Sequence, residues 1–109
     1  MIAQPLTDFS RLCVHTITTK PWSIEQAASH YSAAGVRGVT VWRQWLEGRD
    51  IAAVRRLLAD NGLTVVSLCR GGFFPSVDAA ARQSAIDDNL RAIDEAAELG
   101  APLLVLVCG

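Results

Sequence analysis

Two features of the sequence predict an α/β fold built on a parallel sheet. Apolar, β-branched stretches alternate with amphipathic segments of helical period. Each amphipathic segment opens on a capping residue and closes on a glycine before the next apolar stretch begins. Strands joined by helices in this way run parallel with right-handed crossovers. Periodicity alone leaves open whether such a sheet stays flat or curls into a barrel.

Residues 11–19 are rich in β-branched side chains and form the first predicted strand, which Lys20-Pro21-Trp22 breaks. Ser23 and Gln26 have the spacing of a capping box, in which each side chain satisfies the other's backbone amide. The helix that follows presents Ile24, Ala27, Ala28 and Tyr31 on one face, and Gly35 supplies the left-handed residue that ends it. Residues 38–44 are the second strand. Asp50 caps the second helix, whose apolar stripe is Ile51, Val54, Leu57 and Leu58, and Asn61-Gly62 closes it. Residues 63–69 form the third strand and residues 70–75 a loop. The third helix runs over residues 78–99, with Ile86, Leu90, Ile93 and Ala97 on one face. Asp78 with Arg82, and Asp87 with Arg91, have the spacing of surface pairs. Gly100 stops this helix, Pro102 prevents re-entry, and residues 103–108 are the fourth strand.

The chain is 50% hydrophobic and carries a formal charge of −1, which suits a single domain over residues 1–109. That balance offers no basic face to a nucleic acid or an anionic membrane, and neither is expected as a partner. Met1 to Pro5 contain neither the basic nor the apolar part of a signal peptide. The longest apolar run, residues 103–108, is far short of the roughly 20 residues that span a bilayer. A cytoplasmic protein is the expectation. Cys13, Cys69 and Cys108 are odd in number and far apart, and each lies in a strand-like run. They read as small apolar residues rather than as a disulfide framework or zinc ligands.

In a parallel α/β sheet the chemistry sits at the carboxyl ends of the strands. His15, Thr16 and Thr18 stand at the first of these ends, and Trp42, Arg43, Gln44 and Trp45 at the second. The third carries Cys69 and Arg70, followed by Gly71-Gly72-Phe73-Phe74. Strand alternation aims Thr40, Trp42 and Gln44 away from the helices, and puts Cys13 with His15 and Ile17, and Val65 with Ser67 and Cys69, on shared faces. His15 can act as acid, base or donor to a substrate, or can simply bond a neighbouring strand. Trp42 and Trp45 offer an apolar face for a sugar ring, or pack as core. Arg70 suits an anionic group, or an acid from a nearby loop. Gly71-Gly72 lacks the spacing of a dinucleotide fingerprint. His30 and the acids Asp87, Asp88, Asp94, Glu95 and Glu98 read as solvated helix surface. The strand ends contain no Asp or Glu, so no metal site is expected in this chain; Glu47 and Asp50 are the nearest carboxylates.

With these ends laid out, the chain resembles the amino-terminal half of the xylose isomerase-like TIM barrels, the sugar phosphate isomerase/epimerase superfamily. The resemblance rests on CVHT at residues 13–16, GVTVWR at 38–43 and VSLCRGGFF at 66–74. Its most specific part is AIDDNLRAIDEAAELGAP at residues 85–102, leading into an apolar strand that ends in glycine. It implies the first half of an eight-stranded barrel, about four strands and three helices, that acts on a sugar or keto-acid. It further implies a divalent ion (Mn, Mg, Co or Zn) in the full-length protein, held by carboxylates and a histidine on later strands, beyond residue 109. His15, Trp42 and Arg70 fall where members of the family line the substrate pocket, so these three are the expected substrate-binding residues, while no catalytic residue can be carried over. Thr40 departs from a glutamate common at its place. Alone, the chain is expected to be inactive and to bind no metal.

Three other readings weigh less. The zinc-dependent endonuclease branch of the same superfamily needs histidines on early strands and a basic groove; strands two to four have no histidine. A non-catalytic half-barrel would pair its open sheet edges with a second copy or another chain. An open flavodoxin-like sheet needs a phosphate-cradling loop after the first strand, and Thr18-Thr19-Lys20-Pro21 is a poor one.

Overall fold

The computed structural model describes residues 2–108, and among them four strands alternate with three helices. In chain order these are β1 (Cys13–His15), α1 (Ile24–Ala33), β2 (Gly38–Trp42), α2 (Ile51–Asp60), β3 (Thr64–Gly72), α3 (Ala79–Leu99) and β4 (Leu104–Val107). The sheet has the order β1-β2-β3-β4, and every neighbouring pair is parallel. No helix among the described residues is long and apolar enough to cross a membrane.

The helix starts form as their sequences dictate. Ser23 and Gln26 close a capping box on α1, while Asp50 and Asp78 accept backbone amides at the starts of α2 and α3. The core lies between sheet and helices: Val39, Val41 and Leu68 from the strands meet Ile24, Leu58 and Leu99 from the helices, all six with at most 1% exposure.

Several expectations need correction. The first strand is shorter, because the Thr16 hydroxyl accepts the Trp42 backbone N–H (2.9 Å) and residues Thr16–Thr19 turn into a 3-10 helix. That turn also removes Ile17 from the strand face of Cys13 and His15. The second strand likewise ends at Trp42, and Arg43–Leu46 is a second 3-10 turn. Third, Val65 does not share a face with Ser67 and Cys69. A register shift pairs Val39 with Val65 but Thr40 with Ser67, so Val66 is an extra residue and Val65 packs with the core. Fourth, Ile86, Leu90 and Ile93 are exposed; α3 buries the adjacent stripe Asn89, Ala92, Ala96 and Leu99. Small side chains along that stripe let the helix lie close to the sheet. The expected pairs on α3 also regroup. Arg91 meets Asp88, Arg82 donates to the Ser76 carbonyl, and Asp87 accepts from Gln83.

Residues 70–72, expected in a loop, extend β3 instead, and the contact that holds its end is Asn89. Its Oδ1 accepts the Gly72 N–H (2.7 Å), and its Nδ2 donates to the Gly72 carbonyl (2.9 Å) and to the Ala85 carbonyl (2.7 Å). The approach is so close that a Cβ on Gly71 would sit 2.4 Å from Asn89 Oδ1. At Gly72, where φ is +101°, a Cβ would meet the Val107 carbonyl oxygen at 2.1 Å. The two glycines are there because a helix side chain and the next strand both press on this backbone.

Replacing Asn89 with Ala leaves the buried Gly72 N–H and C=O without partners. The expected loss of stability is about 2–4 kcal/mol, read from the urea unfolding midpoint. Asn89→Asp retains the acceptor and should lose less. Equal stability of Asn89→Ala and the parent chain would show that the clamp carries no weight.

Candidate substrate-binding site

The carboxyl ends of β1, β2 and β3 bring His15, Trp42 and Arg70 to one side of the sheet, and Trp42 is the residue that connects the other two. Register places His15 beside Thr40, and Trp42 beside Cys69, on the face turned away from the helices. The Trp42 indole N–H donates to His15 Nδ1 at 3.0 Å. An imidazole nitrogen that accepts cannot carry the proton, so in neutral His15 the hydrogen resides on Nε2. Behind it, the Tyr31 hydroxyl on α1 donates to the His15 carbonyl at 3.4 Å.

Arg70 stands at a register shift in the β3–β4 ladder between Cys69 and Gly71, and the Cys69–Arg70 peptide is cis. Its guanidinium lies 4.5 Å from the Phe73 ring centroid and 5.7 Å from that of Trp42. Among the described residues it makes no ion pair; the ion-paired arginines are Arg43, Arg49 and Arg91. The acid from a neighbouring loop, one of the two partners open to Arg70, is therefore not what holds it. Aromatic contacts hold the guanidinium while leaving in-plane N–H groups to donate. Arg70 and Phe73 also line a cavity of about 360 Å³ with Arg43, Glu47, Asp88 and Glu95. His15 and Trp42 do not line that cavity.

The remaining candidates have structural work. Trp45 donates its indole N–H to the Trp22 carbonyl at 2.8 Å and packs against the core. His30 is exposed and stacks on Trp22 at 4.5 Å. Thr40 bridges Cys13 and Ser67, with Oγ1 3.3 Å from Cys13 Sγ and 2.8 Å from Ser67 Oγ. Burial pushes the Cys69 thiol up, an effect partly offset by nearby Arg70, so it is a poor nucleophile. Cys108 is exposed just past β4 rather than packed within it.

The sequence reading missed a three-residue ion cluster. Arg43 gives Nη1 and Nη2 to the Asp88 carboxylate at 2.9 and 3.1 Å, and its Nε to Glu95 at 2.5 Å. Asp88 and Glu95 are therefore not merely solvated helix surface. Their spacing of seven residues puts them on one face of α3, which was the available signal. Hydrogen bonding to the two acids raises the Arg43 pKa, and the Arg43 guanidinium holds the Asp88 carboxyl below its usual range.

Among the described residues, no group of three or more His, Cys, Asp or Glu could hold a metal ion. The described residues do not fit the divalent ion that the resemblance implies for the whole barrel.

A family model described as the xylose isomerase-like TIM barrel matches residues 26–109. The chain belongs to the xylose isomerase-like TIM barrel family. Its four parallel strands and three helices are consistent with half of such a barrel. Protein SMc04130 from Sinorhizobium meliloti 1021 is 41% identical to it, with a TM-score of 0.81 over 90% of this chain and 36% of that one. Two solved structures share the fold at lower identity. A xylose isomerase domain containing protein from Salmonella typhimurium LT2 has 18% identity and a TM-score of 0.81, covering 97% of this chain and 39% of its own. A xylose isomerase-like TIM barrel/4-hydroxyphenylpyruvate dioxygenase fusion protein has 22% identity and a TM-score of 0.76, covering 86% of this chain and 15% of its own. No curated protein matches the chain. This xylose isomerase-like chain thus spans well under half the length of the structures it matches.

A carboxylate with a lowered native pKa stabilises the fold above its unfolded pKa, and the benefit is lost as pH falls through the native value. Stability should therefore drop on acidification below about pH 4. Asp88→Asn should show a shallower drop, modest because the Asp88 side chain is 44% exposed and its pairing is screened. Thermal unfolding of both proteins between neutral and acid pH checks this, and parallel curves would show that the Asp88 pairing contributes nothing.

Proposed function

We propose that this chain supplies part of the substrate-binding wall of a barrel that isomerises or epimerises a small sugar or keto-acid. The observation that carries the reading is the Trp42 N–H bonded to His15 Nδ1, which leaves Nε2–H as the donor for a ligand oxygen. A carbonyl or hydroxyl oxygen is the natural acceptor for that hydrogen. Trp42 offers the apolar ring area on which a carbon skeleton can rest, and Arg70 lies over the same ring. The wall binds and orients; His15, on the proposal, is its polar anchor.

The reaction itself needs more than these residues. Moving a proton between adjacent carbons calls for a base, and the tips of β1, β2 and β3 offer no carboxylate of their own. The acids and any divalent ion of the reaction are proposed to come from other parts of the barrel, and the 109-residue chain by itself is proposed to be inactive.

Titration of the chain with hydroxyacetone, a neutral hydroxyketone, followed by NMR of the His15 imidazole, tests the reading. A weak complex, with Kd on the order of millimolar, should shift the His15 signals. Trp42→Phe should remove the preference for the Nε2–H tautomer and weaken the complex severalfold. No response of His15 at any attainable concentration would sink the proposal.

A further inference from the structure

We propose that Thr16 is a positioning residue of this wall: its hydroxyl holds Trp42 where the indole can fix the proton of His15. The role rests on the reading of His15, Trp42 and Arg70 as a substrate wall and concerns how that wall keeps its shape.

The ladder between β1 and β2 shows what the hydroxyl replaces. The bond from the Trp42 N–H to Thr16 spans 26 residues. The ladder bond from the Gly38 N–H to the Leu12 carbonyl, at 3.2 Å, has the same offset. Trp42 is thus still in register with Thr16, and in a strand that continued its acceptor would be the Thr16 carbonyl. The chain turns away at this point, and that carbonyl accepts from the Thr19 hydroxyl at 3.4 Å. Thr16 Oγ1 takes the place of the carbonyl and accepts the Trp42 N–H at 2.9 Å. A threonine at a turn commonly bonds the backbone of its own turn. Here the hydroxyl reaches across to the neighbouring strand, so β1 can end while Trp42 stays anchored.

Two consecutive residues of β1 therefore grip Trp42. Its backbone N–H goes to Thr16, and its indole N–H to His15 Nδ1 at 3.0 Å. The first bond holds the strand end and the second holds the ring. Thr16 is fully buried, so water replaces its hydroxyl only if the tip opens. An opened tip carries the indole away from His15 Nδ1 and takes one of its two rings from the Arg70 guanidinium.

The test compares T16V, which keeps the branched shape but has no acceptor, with T16S, which keeps the hydroxyl. NMR of the 109-residue chain reads the His15 nitrogens, whose shifts distinguish the two tautomers, and the Trp42 indole proton. The parent and T16S should hold His15 in the Nε2–H form. T16V should show both tautomers and weaken hydroxyacetone binding about three- to tenfold. Val54→Ala, which loosens the core at α2, should lower the unfolding temperature yet leave the His15 tautomer in place. That contrast separates positioning from general stability. A T16V chain that keeps the Nε2–H form and the parental Trp42 signal would overturn the role of Thr16; the wall would still stand if hydroxyacetone shifts His15. Should T16V fail to fold, hydrogen exchange of the parent chain decides. Protection of the Trp42 amide equal to that of Thr40 supports the role, and fast exchange overturns it. Silence of His15 towards hydroxyacetone in every variant would remove the wall, and with it a binding role for Thr16, whatever the tautomer.

Discussion

The contact on which the site depends is made by Asn89, a buried helix side chain that pairs with both backbone groups of Gly72. A parallel strand normally ends where its ladder runs out, and the residues beyond are free to wander. Here α3 takes hold of β3 at its last residue, and the Phe73 N–H is fixed in turn by the Val107 carbonyl at 3.0 Å. Arg70 lies two residues before the clamp and Phe73 one residue after it. Their stacking is possible because the backbone that carries them is pinned on both sides. A polar residue buried for this purpose is stable only when all its groups are satisfied, and every buried side-chain N and O among the described residues has a partner.

A second constraint is the distribution of charge on α3. Asp88 and Glu95 reach back over the end of β2 to take Arg43, tying that tip to a helix whose own strand lies two positions further on. The cluster has a consequence for the neighbouring arginine. Two of the three acids on the cavity that Arg70 lines, Asp88 and Glu95, are bonded to Arg43, and Arg70 makes no ion pair among the described residues. Ring contacts contribute about 0.5–1 kcal/mol each at partly exposed positions, enough to bias the position of the side chain while leaving it able to meet an anion.

Much of this architecture is legible in the sequence because local chemistry and global fold agree. The capping box at Ser23, the caps at Asp50 and Asp78 and the glycines after each helix mark the helix ends, and the period of the apolar residues separates helix from strand. Legibility fails where tertiary contacts override the local pattern. Thr16 and Thr19 have strand-forming side chains, yet their hydroxyls turn to the backbone and end β1 early. One extra residue at Val66 moves Val65 to the other face, and no alternation rule can foresee a bulge. On α3 the larger apolar residues Ile86, Leu90 and Ile93 suggest the buried face, but the sheet selects the stripe with Ala92 and Ala96, where the helix can come closest. At the site, His15, Trp42 and Arg70 are legible from their positions at strand ends. The bond between His15 and Trp42 is not, because it depends on the angle of two rings on neighbouring strands.

That bond also decides how the three residues can work together. His15 is held through a single nitrogen by a donor that can only donate, since indole has no acceptor to offer in return. Arg70 is held through ring faces, without a hydrogen bond from Trp42. One side chain therefore sets the proton position of the imidazole through its edge and the place of the guanidinium through its π surface. The polar capacity of both partners remains for something else. Other residues near these strand ends behave differently: buried Thr40 gives its hydroxyl to Ser67 and Cys13, and half-buried Arg43 gives its guanidinium to two acids. Groups whose bonding is complete hold the framework, and groups whose bonding is incomplete keep the capacity to bind. Among the strand-end residues with capacity left, His15 and Arg70 are the two that Trp42 couples.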